Sequence, residues 1–167
     1  KITSRTKAII VVHQFGFPAN MRQIVSIAKK HNVKIIEDCA QAHGTKYRGK
    51  LVGTFGDVGI FSLNVNKSIQ AGEGGVCITK SKAISEKIKL IRNHGEAVVG
   101  PANYKDITNI AGYNYRMTEL TAAIAIAQLK KLKKLNKYRL KLVRYFLKNI
   151  KKIKFLKPME SRNECKF

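Results

Sequence analysis

The chain has no tryptophan, only three cysteines and three prolines, and just ten acidic residues among 167. Each scarcity removes options. Cys39, Cys77 and Cys165 form no C-x-x-C pair, and an odd count gives no disulfide framework. A reducing compartment fits best, and the cytoplasm is the expected location. Cys39 and His43 lie close in sequence, but two candidate ligands fall short of the set a zinc site needs. The longest unbroken apolar run, Ala122 to Ala127, is far too short to span a bilayer, so no membrane role is expected. No signal-peptide pattern, internal repeat or low-complexity linker is visible. The chain opens at Lys1 rather than at a methionine and reads as a piece of something longer.

The shortage of acids gives 33 Lys plus Arg against 10 Asp plus Glu, a net charge of +23. Such a balance attracts nucleic acid or anionic surfaces. Its distribution points elsewhere. Thirteen basic residues and no acidic one lie between Leu129 and Lys157, but they occupy the faces left free by a helical apolar stripe. No arginine-rich arm and no basic stripe interleaved with aromatics accompanies them. Charge of this kind speaks to non-specific attraction, and nucleic-acid binding is the weaker reading.

What is present is a chain long enough, and apolar enough at 44% hydrophobic residues, for one proper core. Lys7 to His13 reads as a buried strand, and QFGFPA follows as a loop with Gly16 and Pro18 as breakers. Asn20 can cap a helix over Met21 to His31, and VKIIE makes the next strand. That pattern is a right-handed parallel crossover. Asp38 ends the second strand, where open α/β sheets bind ligands, although an aspartate there can equally cap the next turn. TKYRGKLVGTFG reads as a hairpin or short excursion. The runs DVGIFSL and GVCIT read as buried strands flanking a polar loop that carries Lys67 and a glycine-rich turn. Ser81 caps a helix to about Asn93, which His94-Gly95 terminates. Glu96 to Ala111 reads as a long loop. A helix from Glu119 to about Asn149 follows, with a kink expected near Asn136 and an IKFL strand after it.

Lys67 stands out because it is presented at a strand end. An amine held in a partly desolvated pocket gives up its proton more readily and can attack a carbonyl. Against this, most lysines in so basic a chain are solvated surface charges.

Five stretches then occur in a telling order: IIEDCAQAHG, GTFGDVGIFSLNVNK, GEGG, RNHG and GYNYRMTELTAA. Together they closely resemble the DegT/DnrJ/StrS family of sugar aminotransferases, pyridoxal-phosphate enzymes with the aspartate-aminotransferase type of fold. The resemblance runs from about Lys7 to about Asn149. It implies an α/β fold: part of a large domain with a mostly parallel sheet and flanking helices over residues 1–117, then a linking helix and the start of a small domain over 118–167. It implies that Lys67 binds the cofactor covalently and shuttles a proton, and that Asp38 pairs with the pyridinium nitrogen. By the same token Gln41 lies near the phenolic oxygen and Ser62 hydrogen-bonds the phosphate. Asn114 reaches the phosphate site of a neighbouring subunit, which implies a homodimer with shared sites. His13, Glu73 and His94 lie in family-typical stretches without an assigned role.

The resemblance also implies the chemistry: transfer of an amino group, with glutamate as the expected donor, to a keto group on a nucleotide-linked sugar. Lys67 argues against the dehydratase branch, in which histidine replaces it. Family members are more than twice this length and carry upstream a glycine-and-threonine or serine phosphate loop and a ring-stacking aromatic. The chain is therefore expected to hold half a cofactor cradle. Two other readings stand beside the enzyme: a catalytically incomplete remnant, and a basic binding module using the Leu129 to Lys157 helix.

Overall fold

The computed structural model describes residues 1–96 and 110–158, together with the backbone of 165–166. Strand β1 (Ala8–Val12), helix α1 (Met21–Lys30) and strand β2 (Lys34–Asp38) form the expected crossover, with β1 and β2 parallel and Val12 opposite Asp38. Asn20 caps α1 by accepting from the Gln23 N–H, as its side-chain chemistry predicts. Strand β5 (Val58–Ser62) adds in parallel to β2, and β6 (Gly75–Ile78) returns antiparallel to β5. The sheet order is β1-β2-β5-β6. The fold is α/β with a mostly parallel sheet, as expected.

The expected excursion is a hairpin of β3 (Lys46–Tyr47) and β4 (Lys50–Leu51). Its two turn residues, Arg48 and Gly49, have φ of 50° and 82°. A two-residue turn with both centres left-handed matches the natural twist of a hairpin. The backbone of β7 (Cys165–Lys166) pairs with β3.

The core gathers Val11, Met21, Ala28, Ile35, Cys39 and Tyr47 beneath α1 and β2. Two strands are less buried than their apolar runs predict. Ile10 and Val12 of β1 are 66% and 48% exposed, because β1 is an outer strand whose second face nothing described covers. Strand β6 is largely exposed for the same reason.

Helix α2 (Lys82–Arg92) starts at its Ser81 cap and ends as expected, with Gly95 at φ 80° donating back to the Leu90 carbonyl. Helix α3 (Glu119–Ile150) runs unbroken for 32 residues. The kink expected near Asn136 is absent: the Asn136 side chain donates outward to the His43 carbonyl instead of competing for its own helix backbone. The IKFL strand is also absent. Residues 151–155 are turns, closed by Lys152 and Ile153 bonding back to the last carbonyls of α3. Most of the loop expected over Glu96 to Ala111 lies outside the described residues.

Candidate active site

Two adjacent parallel strands end side by side, β2 at Asp38 and β5 at Ser62. Side chains leaving these carboxyl ends face a common crevice in sheets of this type. Asp38 is half-buried. One carboxylate oxygen accepts from the Ala40 N–H at 3.0 Å, so the residue does cap the following turn, and its second oxygen is left for another partner. Ser62 Oγ accepts from the Asn64 N–H at 3.3 Å. Gln41 is exposed, and its carbonyl oxygen accepts from the Phe15 N–H at 2.8 Å.

Lys67 stands on a loop that the chain holds firmly. Leu63 anchors both ends, donating to the Gly74 carbonyl and accepting from the Ala71 N–H. The Asn64 side chain donates to the Glu73 carboxylate at 2.7 Å, which clasps the loop and gives Glu73 a structural task. Beneath it Leu63, Ile69 and Ala71 pack against Met117, Ala125 and Leu132 of the α3 region. Lys67 is half-buried and donates its backbone N–H to the Asn64 carbonyl. Ser68, next in the loop, lines the same cleft as Gln41 and His43.

Asn114 is held elsewhere. It bridges Asn93 in antiparallel fashion, is exposed, and has no hydrogen bond to Asp38, Ser62 or Lys67. Arg116 ties the same segment to Asn93 at 2.6 Å. His94 takes a left-handed conformation at the end of α2, a backbone role.

Glu37 belongs to none of the candidate roles read from the sequence, yet it is the most heavily bonded acid of the described core. Its carboxylate is fully buried and accepts four bonds: from the Phe55 and Gly56 N–H groups on one oxygen, and from the Gly53 N–H and His13 Nε2 on the other. Burial alone pushes this carboxyl up, but the bonds from His13, Gly56, Gly53 and Phe55 outweigh it and hold the group below its ordinary range. His13 accepts from the Ala19 N–H on Nδ1, so its proton sits on Nε2. His13, Glu37 and Cys39 cluster within 4.8 Å of one another, a spacing that suits a metal. His13 and Glu37 are already engaged with each other and with backbone N–H groups, however, and burial together with the Glu37 and Asp38 charges pushes the Cys39 thiol up to about 12. The cluster is a strut that ties β1 and β2 to the glycine loop at 53–56. Strand alternation was the available signal: Ile35, Glu37 and Cys39 share one face, so the acid had to enter the core.

Beside Gln41 lies a cleft of about 320 Å³ between α3 and the loops bearing Phe15 and His43. His43 is 7% exposed, its ring tilts against Phe61 with centroids 5.6 Å apart, and the Ser62 main chain lies near its ring without good hydrogen-bond geometry. Burial lowers its pKa first; the neighbouring Ser62 main chain opposes this, and the Lys67 and Arg139 charges add to it.

Asp38 and Ser62 thus end neighbouring parallel strands, and Lys67 sits on the clasped loop that follows Ser62. The DegT/DnrJ/EryC1/StrS aminotransferase family model matches residues 1–166, and the chain belongs to that family. It is 43% identical over 150 residues to GDP-perosamine synthase of Escherichia coli O157:H7, covering 90% of this chain and 40% of that protein. It is 44% identical over 153 residues to dTDP-3-amino-3,6-dideoxy-alpha-D-galactopyranose transaminase of Aneurinibacillus thermoaerophilus, with the same coverage of 90% and 40%. Among solved structures, a DegT DnrJ EryC1 StrS aminotransferase from Brucella abortus superposes with a TM-score of 0.84 at 28% identity, over 95% of this chain and 41% of that one. The chain thus spans about two fifths of the length of the curated relatives it matches.

Proposed function

We propose that this chain is the cofactor-anchoring part of a pyridoxal-phosphate aminotransferase that acts on a nucleotide-linked keto sugar, with glutamate as amino donor. The observation that carries the reading is the joint placement of Asp38 and Ser62 at neighbouring strand ends with Lys67 on the clasped loop that follows. The residues fit the cofactor in kind. Lys67 supplies an amine for the aldehyde, Asp38 an uncommitted carboxylate oxygen for the ring nitrogen, Ser62 a hydroxyl for the phosphate and Gln41 an amide for the phenolic oxygen. Bound there, the cofactor supplies an electron-accepting ring for carbanion chemistry.

The chain's own residues have simpler tasks. Asp38 holds a proton at a ring nitrogen by its negative charge. Lys67, once freed, moves a proton at the reacting carbon. The Asn64–Glu73 clasp and the Leu63 bonds to Gly74 and Ala71 fix the backbone that carries Lys67, which matters because positional error at a reacting group is costly in rate. Asn114, exposed and bridged to Asn93, is offered to a second subunit in a homodimer. Residues 1–117 then serve as the cofactor-binding part and 118–167 as the linking helix with the start of a small domain.

The test is spectroscopic. Pyridoxal phosphate added to a protein carrying this chain at the full length of its relatives should give a visible absorption band that borohydride fixes onto Lys67. Lys67→Ala should abolish the band without shifting the unfolding temperature. A folded protein that gives no band overturns the reading. A band that appears only at full length, and not with the 167-residue chain, supports the view of this piece as incomplete by itself.

A further inference from the structure

Among the described residues, Phe15, Asn32, Arg48 and His94 hold a left-handed backbone without being glycine. Three of them have a local reason. Asn32 and His94 follow the ends of α1 and α2, and Arg48 turns the β3–β4 hairpin. Phe15, at φ 54° and ψ 25°, closes no α-helix and no hairpin. A bulky side chain resists this conformation, and such strain persists only where the surroundings impose it. The Phe15 ring offers little packing in return, since it is 78% exposed.

The surroundings do impose it. The turn leaves the carboxyl end of β1 between two buried anchors. Before it, His13 is bonded to Glu37 and takes the Ala19 N–H. After it, the Gly16 carbonyl accepts from the buried Thr45 hydroxyl at 3.1 Å. Inside it, the Gly16 and Phe17 N–H groups return to the His13 and Gln14 carbonyls. The Phe15 N–H instead leaves the turn and donates to the Gln41 side-chain oxygen at 2.8 Å.

That bond decides which way the Gln41 amide faces. A backbone N–H can only donate, so the atom that meets it is the oxygen, and the NH₂ is the end left to serve a partner. Gln41 is exposed and stands just after Asp38 at the carboxyl end of β2. Without the Phe15 bond, its amide would turn about a broad, two-fold torsion and offer either end.

We infer that Phe15 is a positioning residue: its N–H pins the Gln41 oxygen, so that Gln41 serves the phenolic oxygen of pyridoxal phosphate as a donor and never as an acceptor. The inference rests on the aminotransferase reading. A donor suits an oxygen that carries negative charge, whereas an acceptor would repel it.

The experiment has two arms, both on a protein carrying this chain at the full length of its relatives. Without cofactor, NMR reads the coupling across the hydrogen bond from the Phe15 nitrogen to the Gln41 side-chain carbonyl carbon. With pyridoxal phosphate, it follows the Gln41 NH₂ protons, and the visible band gives the affinity. The coupling should be present, and the NH₂ protons should shift and exchange more slowly once the cofactor is bound. Phe15→Ile should abolish the coupling, because a β-branched residue shuns the left-handed region, and Phe15→Asn should keep it, because asparagine accepts that region. Both variants remove the ring, so a loss in the first alone assigns the effect to the backbone. Gln41→Glu keeps the acceptor and loses the donor. It and Phe15→Ile should each weaken pyridoxal phosphate about tenfold, the worth of one hydrogen bond to a charged group. Should Phe15→Ile not fold, Gln41→Glu, at an exposed position, carries the test. Coupling absent from the parent, retained in Phe15→Ile or lost in both Phe15 variants, or full affinity in Gln41→Glu, overturns the inference. A visible band with unmoved NH₂ protons sinks this inference alone. A folded protein that gives no band sinks the aminotransferase reading and this inference with it.

Discussion

Glu37 and His43 lie on either side of one short segment, both buried and both titratable, and their surroundings treat them in opposite ways. Glu37 accepts four hydrogen bonds and is locked into the frame. His43 has no well-formed bond at its ring and faces a cleft. The difference separates two kinds of buried polar group. One is satisfied by the chain itself and rigidifies the fold. The other is poorly satisfied beside a cleft and does little to fix the frame.

The sharpest way to break this contrast is Glu37→Ala. It strands three backbone N–H groups and the His13 proton in the core. Removing one partner of a buried, fully bonded charge costs about 3–5 kcal/mol, and with four donors stranded the loss should be at least that, read from the urea midpoint. The same variant has a pH signature. The folded Glu37 carboxyl lies below its ordinary value of 4.5, so its contribution is complete above that pH and is lost as pH falls through the folded value. Acid unfolding of Glu37→Ala should therefore be flatter below pH 4.5 than that of the parent chain.

A smaller effect is expected in the glycine loop that Glu37 holds. A Cβ at Gly59 would run into the Gly53 carbonyl, which is backbone and cannot swing aside. Gly59→Ala should cost about 1–3 kcal/mol by overpacking, with the Glu37 bonds to Gly53, Phe55 and Gly56 disturbed in hydrogen exchange.

His43→Leu should do far less. It removes two poorly satisfied nitrogens while keeping the bulk against Phe61, so at pH 7 stability should change by no more than about 1 kcal/mol. The folded pKa of His43 is depressed from 6.5, so its contribution is present above that value and lost as pH falls through the folded one. His43→Leu should flatten stability below pH 6.5. A loss at pH 7 as large as that of Glu37→Ala would erase the distinction between the two groups. At the bottom of the scale, Lys82→Gln breaks an exposed i,i+4 pair with Glu86 at 3.9 Å and should shift stability by less than about 0.5 kcal/mol.

Local chemistry made much of this legible in the residues. Asn20 and Ser81 act as caps because their side chains have few other uses at those positions, and His94-Gly95 ends α2 because a left-handed residue closes a helix. The order of strands and helices followed from apolar period; Lys67 and Asp38 drew notice from their places at strand ends, whereas Ser62 was picked out by the family resemblance alone. What escaped notice depended on distant partners. The Glu37 strut joins β2 to residues 53–56, and nothing near Glu37 in sequence announces that meeting. Asn136 looked like a helix defect until the His43 carbonyl supplied an acceptor. IKFL has strand composition but finds no strand to pair with, and composition alone does not make a ladder.

Helix α3 extends about 48 Å at the usual rise per residue, yet it touches the body chiefly through Ala125, Leu132 and Asn136. Arg139, Leu140 and Val143 lie just past the last of these contacts and form one wall of the cleft. That wall belongs to the same unbroken helix that Asn136 fastens to the His43 carbonyl, so one rod both covers the Lys67 loop and sets the room left around His43.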